Sequence, residues 1–462
     1  MADETPTSVP RLDFRKRLIS PPVKDAMEAA SAGGREAALV PVIISPKESV
    51  DHPEAGINPS KEALVDLLKE YRPRASQFYV FAKLPAGKIE ELGAKYPRLI
   101  DHIWKDEKCE AHLLDSVKTI KASASWKTFD AFGQGITWAI MDTGIEAAHP
   151  QFAQYCNVST AMSRDFSDPD NPKSANPLKD SNGHGTHVAG IIAGVMKTDS
   201  SGLPSVSERF EEGMRITQLS GYPAGIAPKC QLVSIKVLDD TGQGDASSAI
   251  LALEYLRSLN SAGKEIKIDG VNMSLGYPFD PKWYGCGHSP LCEEVNRTVK
   301  SGIVVVISCG NAGYGKATLD TSQVVPVSIG LSIADPANAE EGIAVGSVHK
   351  SAPHTYGVSY FSSKGPTGDG RMKPDFVAPG EKIISCAVDP SGKYLYKDDS
   401  GTSMAAPHVS GAIAAFLSVH SEFRGNPRKV KEIFKETAND LGRDKAFQGA
   451  GLIDLYRALT SC

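Results

Sequence analysis

The sequence predicts an α/β fold with a mainly parallel central sheet flanked by helices, preceded by a small α+β domain. Short segments rich in β-branched residues are too apolar for a sheet face in water, so they predict buried parallel strands. Four segments with a helical pattern alternate with them, which is typical of a layered α/β architecture. The predicted strands lie at 136–144, 231–238, 268–275, 302–310 and 342–348, and the predicted helices at about 184–196, 246–260, 290–300 and 403–418.

Length and composition exclude several classes of protein. The chain has 462 residues, 41% of them hydrophobic and 23% charged, which argues against a disordered or collagen-like chain and allows about two to three domains. The formal net charge of −5 argues against a protein that coats nucleic acid. The longest apolar runs, at 39–44 and 303–307, are much shorter than the roughly 18 residues of a membrane span. We therefore expect a soluble protein with neither a nucleic-acid nor a membrane partner.

The N-terminus and the cysteines bear on the cellular compartment. The first twenty residues are charged and lack a continuous apolar stretch, so they predict no secretory signal. Eight cysteines spread over a long chain exclude the small disulfide-stapled class and favour reduced thiols. Both observations predict a cytoplasmic protein.

Cys286 and Cys292, with His288 between them, leave a disulfide, half a metal site and two unpaired loop thiols as open alternatives.

Three regions are predicted along the chain: a flexible leader at 1–36, a small domain at 37–113 and the main domain at 114–462. The leader is rich in Pro, Ser, Gly and charged residues without periodicity. The small domain has strand and helix patterns that, with one more strand near 108–113, follow a β-α-β-β-α-β order and predict a ferredoxin-like fold. In the main domain, the polar segment 197–222 predicts an irregular surface insertion.

Four short motifs each place a reactive or donor side chain where a strand or loop meets a helix. Their key residues are Asp142 in AIMDTGI, His184 in NGHGTHVAG, Asn311 in SCGNAG and Ser403 in GTSMAAPHV. Singly, the aspartate and the asparagine suit turns, and the serine suits a helix N-cap. His184 and His187 could suggest a metal site, but the sequence offers no nearby third ligand or zincin glutamate.

Taken together, the four residues supply the groups that acyl transfer requires: a nucleophile, a base, an orienting carboxylate and an oxyanion donor. The order Asp…His…Ser along the chain is the order that subtilisin uses. The motifs DTGIEAAHP, NGHGTHVAG, GNAG, KPDFVAPG and GTSMAAPHVSG resemble those of the subtilase family of subtilisin-like serine proteases, over about residues 114–462.

The resemblance implies a serine endopeptidase that needs no cofactor. Asp142 would orient His184, and His184 would act as general base and then as general acid. Ser403 would be the acylating nucleophile. Asn311 and the backbone N–H of Ser403 would hold the oxyanion.

Two further segments resemble the substrate-binding edges of subtilases, which hold an extended peptide by strand addition. Their glycines also suit ordinary turns. A peptide or protein is therefore the expected substrate. The residues predicted to bind it are Gly242, Gln243, Gly244, Ser274, Leu275 and Gly276.

The small domain at 37–113 resembles the subtilase propeptide, which in the family aids folding and inhibits the protease with its C-terminal tail in the cleft. The resemblance implies that this prodomain is an intramolecular partner of the main domain. It also implies that the protease removes the prodomain by self-cleavage around Cys109–Leu114.

One residue departs from the pattern of many secreted subtilases, which carry a calcium-binding aspartate directly after the His-Pro that follows the catalytic aspartate. In this chain Gln151 follows His149 and Pro150. A neutral amide removes a formal charge from a site for a hard cation. We therefore expect no metal at this position.

Two alternative functions remain open from the sequence. A non-catalytic binding protein on the same scaffold is disfavoured, because all four catalytic positions are present. A peptide ligase or macrocyclase would use the same triad but pass the acyl group to an amine instead of water.

Overall fold

A computed structural model describes residues 18–20, 23–24, 27, 39–47, 59–76, 78–106, 108–111, 116–168, 176–195, 205–210, 213–219, 223–261, 265–279, 282, 285–318 and 324–462. The chain divides into two compact units, Met1–Glu107 and Lys108–Cys462. This division falls a few residues before the predicted domain boundary at 113, because residues 108–111 pair with strands of the second unit.

The first unit is built on a four-stranded antiparallel sheet. Its elements are β1 (Leu39–Pro46), α1 (Pro59–Leu67), β2 (Arg74–Ala75), β3 (Val80–Pro85), α2 (Ala86–Lys95) and β4 (Ile100–Lys105). The strand order across the sheet is β2-β3-β1-β4. Alternate residues of β1, Val40, Val42 and Ile44, face one core. Ile89 and Leu92, three residues apart on one face of α2, pack into the same core.

Two details of this unit differ from the sequence-based expectation. The β-α-β-β-α-β order is completed by β2, and the strand predicted near 108–113 belongs to another sheet. Leu18, Val23 and Met27, which fall in the predicted flexible leader, are buried in the core. The N–H of Ile103 also donates to the Leu18 carbonyl at 2.8 Å. Residues 1–17, 21–22, 25–26 and 28–36 of the predicted leader lie outside the described residues.

The second unit contains the alternating strands and helices. Its strands are β5 (Lys108–Ala111), β6 (Thr137–Asp142), β7 (Val158–Asp165), β8 (Ser205–Phe210), β9 (Gly213–Gln218), β10 (Gln231–Lys236), β11 (Gln243–Asp245), β12 (Gly270–Met273), β13 (Leu275–Gly276), β14 (Val304–Ser308), β15 (Tyr314–Thr318), β16 (Val324–Ser328), β17 (Ile343–Val348), β18 (Phe376–Pro379), β19 (Ile383–Cys386) and β20 (Tyr396–Asp399). Its helices are α3 (Ala122–Phe129), α4 (His184–Ala193), α5 (Ala246–Leu259), α6 (Pro290–Lys300), α7 (Pro353–Tyr356), α8 (Thr402–Val419), α9 (Pro427–Thr437), α10 (Lys445–Gln448) and α11 (Leu455–Thr460).

A seven-stranded parallel sheet forms the centre of this unit. Its strand order is β18-β17-β14-β12-β6-β10-β7, and every pairing within it is parallel. The five strands predicted from apolar runs are five consecutive members of the sheet. Every residue of β12, β14 and β17 is buried, as expected for strands that are covered on both faces.

The strand order brings the predicted functional residues to one edge of the sheet. The neighbouring strands β6, β12 and β14 end at Asp142, Met273 and Ser308. Because parallel strands present their carboxyl ends at a common edge, the residues that follow these strands converge there. Ser274 directly follows β12, and Asn311 follows β14 after two residues.

Helix α8 is the central helix of the core. Its residues from Thr402 to Leu417 are all buried. The Cβ that glycine lacks at Gly411 would lie 2.7 Å from the Cβ of Ile226, so a glycine there permits close packing. Among the described residues, α8 is the one helix with the length and mean hydropathy of a membrane span, and protein surrounds it.

The predicted insertion at 197–222 is ordered where the structure describes it, so the prediction of an irregular segment is wrong there. Strands β8 and β9 form an antiparallel hairpin, and β8 also pairs in parallel with β20. The resulting sheet has the order β19-β20-β8-β9. Strand β20 ends four residues before Ser403, so the insertion adds to the sheet that leads into α8.

Candidate active site

Asp142 and His184 form a buried hydrogen-bonded pair at the carboxyl edge of the sheet. His184 Nδ1 lies 2.6 Å from Asp142 Oδ1, and the two side chains are 2% and 0% exposed. Asp142 Oδ1 also accepts the N–H of Thr143 at 2.8 Å. Because a carboxylate can only accept, Nδ1 carries the proton, and Nε2 is the acceptor on a neutral ring. Nε2 is buried and has no hydrogen-bond partner among the described residues.

Asp180 fixes the start of the helix that carries His184, and the sequence reasoning missed it. Its Oδ1 accepts the Gly183 N–H at 2.8 Å and the Thr143 hydroxyl at 2.9 Å. Its Oδ2 accepts the Thr186 N–H at 2.8 Å and the Thr186 hydroxyl at 2.7 Å. A carboxylate is favoured at the N-terminus of a helix. An aspartate four residues before the histidine, in DSNGHG, was the available signal.

A small residue allows α4 to approach the strand that carries Asp142. A Cβ at Gly185 would overlap the carbonyl oxygen of Gly144 and lie 3.1 Å from the Cβ of Asp142. The Gly185 N–H donates to the Thr143 hydroxyl at 2.9 Å. The glycine after His184 is therefore required for the short distance between the imidazole and the carboxylate.

Ser403 is the second residue of α8 and is fully buried. Its Oγ donates to the carbonyl of Ser274 at 3.4 Å, and the Ser274 hydroxyl donates to the Ser403 carbonyl at 2.6 Å. The hydrogen bonds of the described residues do not include one between Ser403 Oγ and His184 Nε2. Catalytic hydrogen bonds are often long before substrate binds. The structure thus brings Asp142 and His184 together and places Ser403 beside the end of β12.

The Asn311 amide is oriented by the residue before Ser403. Asn311 Oδ1 accepts the Thr402 N–H at 2.9 Å and the Thr402 hydroxyl at 3.0 Å. The Gly310 N–H donates to the same hydroxyl at 3.1 Å. Because the amide oxygen faces Thr402, the amide nitrogen is directed away from Thr402. Thr402 lies in the Ser403 motif, but the sequence alone does not indicate that it orients Asn311.

The two predicted substrate-binding edges flank a strand of the chain itself. Strand β5 lies between β11 and β13 in a three-stranded sheet and pairs antiparallel with both. Glu110 is opposite Gln243 on one side and Gly276 on the other, and Ala111 is opposite Leu275. Both edges therefore hold an extended peptide segment by strand addition.

The six residues predicted to bind substrate have different local roles. Gln243 and Gly244 belong to β11, whereas Gly242 lies in the preceding turn with a φ of +80°. A Cβ at Gly244 would overlap the carbonyl oxygen of Val237, so this edge strand requires glycine. Leu275 and Gly276 form β13, and Ser274 makes the contacts with Ser403 described above.

Comparison with known proteins identifies the family. The sequence model of the subtilase family matches residues 133–452. The chain belongs to the subtilase family. It is 32% identical to the "Major intracellular serine protease" of Bacillus subtilis (strain 168) over 341 residues, which cover 73% of this chain and 86% of the relative.

Two more relatives support the same assignment. The chain is 33% identical to "Subtilisin E" of Bacillus subtilis (strain 168) over 327 residues, or 71% of this chain and 66% of the relative. It is 32% identical to the "Intracellular serine protease" of Paenibacillus polymyxa over 343 residues, or 73% of this chain and 84% of the relative. The predicted α/β class with a parallel sheet, and the prediction of a subtilisin-like serine protease, are confirmed.

Two further histidines of this subtilase lie near the predicted site but pack inside the protein. His187 is fully buried, and its Nε2 lies 3.3 Å from the Lys397 carbonyl. Burial holds the pKa of His187 well below its usual value. Burial also lowers the pKa of His408 to about 4, and His408 Nδ1 donates to the Met404 carbonyl at 2.7 Å. Both imidazoles are therefore neutral near pH 7.

The amide at Gln151 is engaged by neutral partners. Its nitrogen donates to the Pro223 carbonyl and to the Tyr396 hydroxyl, both at 2.7 Å. Within the described parts of the chain, no group of three or more His, Cys, Asp or Glu side chains is arranged to hold a metal ion. The position that carries the calcium-binding aspartate in many subtilases here has an amide in a hydrogen-bonded role.

The cysteines near the substrate-binding edges are free thiols. Cys286 and Cys292 are both buried and unpaired, which removes the disulfide among the three alternatives in this structure. Cys309, two residues before Asn311, is also buried, and burial raises its pKa to about 12. Cys309 is therefore a protonated, packed side chain.

Proposed function

We propose that this subtilase hydrolyses internal peptide bonds through an acyl-enzyme on Ser403. The observation that supports this most strongly is the buried 2.6 Å hydrogen bond between His184 Nδ1 and Asp142 at the sheet edge, together with Ser403 in the first turn of α8. Nε2 is then the one basic atom of the imidazole, and it is buried without a hydrogen-bond partner among the described residues. These are the requirements for activating a serine hydroxyl at neutral pH.

The proposed reaction uses each of the four residues in turn. Ser403 Oγ attacks the substrate carbonyl carbon while its proton passes to His184 Nε2, and the carbonyl oxygen becomes an oxyanion. The Asn311 amide nitrogen and the Ser403 N–H donate to that oxyanion. His184 then gives the proton to the departing amine, and water attacks the acyl-enzyme by the same route. Asp142 stabilises the imidazolium throughout.

The substrate is proposed to be an extended peptide bound between β11 and β13. Strand β5 occupies that position with antiparallel pairing on both sides, so it has the backbone conformation that these edges recognise. Main-chain pairing of this kind binds many sequences, because its hydrogen bonds involve no side chain. We expect a protease that cleaves unfolded or extended segments.

Self-processing is part of the same proposal. Strand β5 begins at the first residue after the N-terminal unit and ends at Ala111, opposite Leu275. Leu275 follows Ser274, whose carbonyl accepts from Ser403 Oγ. We therefore propose that the chain is cut shortly after Ala111 and that the N-terminal unit is an inhibitory prodomain. In the predicted range Cys109–Leu114, residues 112–114 lie outside the described residues.

The experiment that tests the catalytic assignment is Ser403→Ala in purified full-length protein. We expect loss of nearly all peptidase activity with an unchanged unfolding midpoint, because only the hydroxyl is removed. Ser418→Ala, a serine near the other end of the same helix, is the matched control and should retain activity. Unchanged turnover by Ser403→Ala would refute the proposal.

Mass spectrometry of products distinguishes hydrolysis from a ligase, since a ligated product lacks the mass of one water.

The compartment is also a proposal. Two relatives are named intracellular proteases, and the cysteines whose side chains the structure describes are free thiols. We propose that this subtilase acts in the cytoplasm, where thiols stay reduced. Cell fractionation of a C-terminally tagged chain tests this, and recovery of the active protease outside the cell would overturn it.

A further inference from the structure

Lys364 is a buried cation without a carboxylate partner. The residue is 5% exposed, and among the described residues it makes no salt bridge. Its Nζ donates to the carbonyl of Gly313 at 2.6 Å and to the carbonyl of Tyr360 at 3.0 Å. The ring of Phe447 lies 5.3 Å from the same nitrogen. Burying an unpaired ammonium costs free energy, so its position requires an explanation.

The Gly313 carbonyl belongs to the loop that carries Asn311, and the segment before Lys364 holds the same loop. The Ser363 N–H donates to the Gly310 carbonyl at 2.9 Å. The Ala312 N–H donates to the Ser363 hydroxyl at 3.1 Å. The residues directly before and after Asn311 are thus both hydrogen-bonded to Ser363. Lys364 binds the carbonyl of the following residue, Gly313.

The loop at 310–313 and the segment at 361–364 are in close contact. The Gly313 N–H donates to the Phe361 carbonyl at 2.9 Å, and a Cβ at Gly313 would overlap the carbonyl oxygen of Ser362. Gly310 has a φ of +102°, which an L side chain rarely adopts, and a Cβ there would lie 2.9 Å from Ser363 Oγ. The loop carrying Asn311 is therefore held from one side by this segment.

Thr402 holds the Asn311 amide from the other side, through the two bonds to its oxygen. The Gly310 N–H also donates to the Thr402 hydroxyl at 3.1 Å, so Thr402 contacts both the Asn311 amide and the backbone directly before it. After Asn311, the loop backbone is held by the Ser363 hydroxyl, by Lys364 and by the Ile329 N–H, which donates to the Gly313 carbonyl at 3.0 Å. Among these contacts, the bond from Lys364 is the charge-assisted one, and such bonds are roughly twice as strong as neutral ones.

We propose that Lys364 is a positioning residue for the oxyanion site: its ammonium fixes the Gly313 carbonyl and thereby sets where the Asn311 amide meets the oxyanion. This inference rests on the proposed role of Asn311. Oxyanion donors act by preorganisation, so a loop that shifts should lower the rate without lowering substrate affinity. A misplacement of about 1 Å can cost up to about 100-fold in rate.

The test compares Lys364→Met, which keeps much of the volume and removes the donor, with Lys364→Arg, which keeps a charged donor. We expect Lys364→Met to lower kcat by about 10- to 100-fold with little change in KM. Lys364→Arg should restore most of the loss. Lys429→Met removes the same charge from an exposed position on α9 and should leave kcat unchanged. A rise in KM with unchanged kcat would overturn the proposal.

Two further measurements separate positioning from general destabilisation. In an Asn311→Ala background, Lys364→Met should have little additional effect on kcat, because the donor that it positions is absent. An arylboronic acid, which forms an anionic tetrahedral adduct with an active-site serine, should lose affinity for Lys364→Met in parallel with kcat. If the fold decreases in kcat of the two single variants multiply in the double variant, the proposal that Lys364 acts through Asn311 is refuted.

Comparing Asn311→Ala with Lys364→Met distinguishes failure of this proposal from failure of the proposed function. If Asn311→Ala alone leaves kcat unchanged, the oxyanion assignment fails, and the role of Lys364 fails with it. If Asn311→Ala lowers kcat and Lys364→Met does not, only the Lys364 proposal is overturned. Should Lys364→Met fail to fold, Ser363→Ala removes one bond to the same loop, and its kcat loss should likewise vanish in the Asn311→Ala background.

Discussion

The Asp180 carboxylate accepts a hydrogen bond from the Thr143 hydroxyl at 2.9 Å, which ties the residue after Asp142 to the helix that begins at His184. The same hydroxyl accepts the Gly185 N–H at 2.9 Å. The strand that carries Asp142 and the helix that carries His184 are thereby joined by buried polar contacts as well as by packing. The distance between Asp142 and His184 depends on this connection.

Asp180→Asn should weaken both the fold and the reaction. Each carboxylate oxygen accepts two donors, and an amide nitrogen in either position would face two donors instead of accepting from them. We expect a loss of about 1–3 kcal/mol in the free energy of unfolding and a fall in kcat of about 10- to 100-fold. Urea denaturation and steady-state kinetics measure the two effects.

Asp130→Asn is the matched control for this change, since Asp130 is exposed and ends α3 in a left-handed conformation that asparagine also adopts. Asp130→Asn should change neither the free energy of unfolding nor kcat. Wild-type kcat in Asp180→Asn would contradict the role assigned to Asp180, whatever happened to stability.

Removal of the N-terminal unit should depend on Ser403. Incubated alone, the wild-type chain is expected to lose this unit while peptidase activity rises, because the strand between β11 and β13 is then free to leave the cleft. Ser403→Ala should stay at full length. N-terminal sequencing should find the new terminus between about 105 and 118, and just after Ala111 if the register of β5 governs the cut.

Full activity in a chain that keeps its original N-terminus would argue against the inhibitory role. Cleavage of Ser403→Ala at the same position would show that another protease makes the cut. Adding wild-type protein in trace amounts to Ser403→Ala tells whether the reaction can also occur between molecules.

The stability of the second unit should depend on pH through Asp375. Its buried carboxylate lies 2.6 Å from Lys373 Nζ and 3.1 Å from Lys431 Nζ, and it accepts the Ala344 N–H at 2.9 Å. These partners hold the pKa of Asp375 well below its usual value, although burial alone would raise it. A lowered carboxylate pKa contributes stability above the unfolded pKa of about 3.9, and that contribution is lost as the pH falls below it.

Asp375→Asn is therefore expected to cost about 3–5 kcal/mol near pH 7, because it leaves Lys373 buried without its counter-charge. The difference from wild type should shrink below about pH 4. Denaturant unfolding at pH 7 and pH 3 measures both values. A difference that stays constant with pH would show that the charge of Asp375 is not what stabilises the fold.

Chelation should change the melting temperature little. A bound ion stabilises a fold in proportion to the logarithm of its saturation, and the Gln151 amide donates to neutral oxygen atoms where many subtilases place a calcium ligand. Melting curves with EDTA and with added calcium should nearly coincide. Gln151→Ala should lower both curves equally, since it removes hydrogen bonds and no metal ligand. A large drop with EDTA in the wild type would reveal a tight calcium site.

Much of the architecture could be predicted from local sequence because it is encoded locally. Runs such as IVVVI at 303–307 indicate buried strands, and their alternation with helices is typical of parallel layers. The motifs around Asp142, His184, Asn311 and Ser403 each lie within a few residues of an element boundary, so their positions follow from the elements that carry them. Sequence alone thus determined the fold class, the family and the candidate catalytic residues.

Tertiary structure decided the contacts between residues that are distant in sequence. The residues around 110 have no local pattern that decides whether their strand pairs within the first unit or with β11 and β13, because backbone pairing depends on which edge is open. The burial of Leu18 and Met27 was also not predictable locally, because the sequence around them lacks periodicity although both pack into the core of the first unit. The bond from Lys364 to Gly313 arises only when two loops meet. Local patterns specify elements, whereas such pairings depend on complementary surfaces that exist only after the elements have packed.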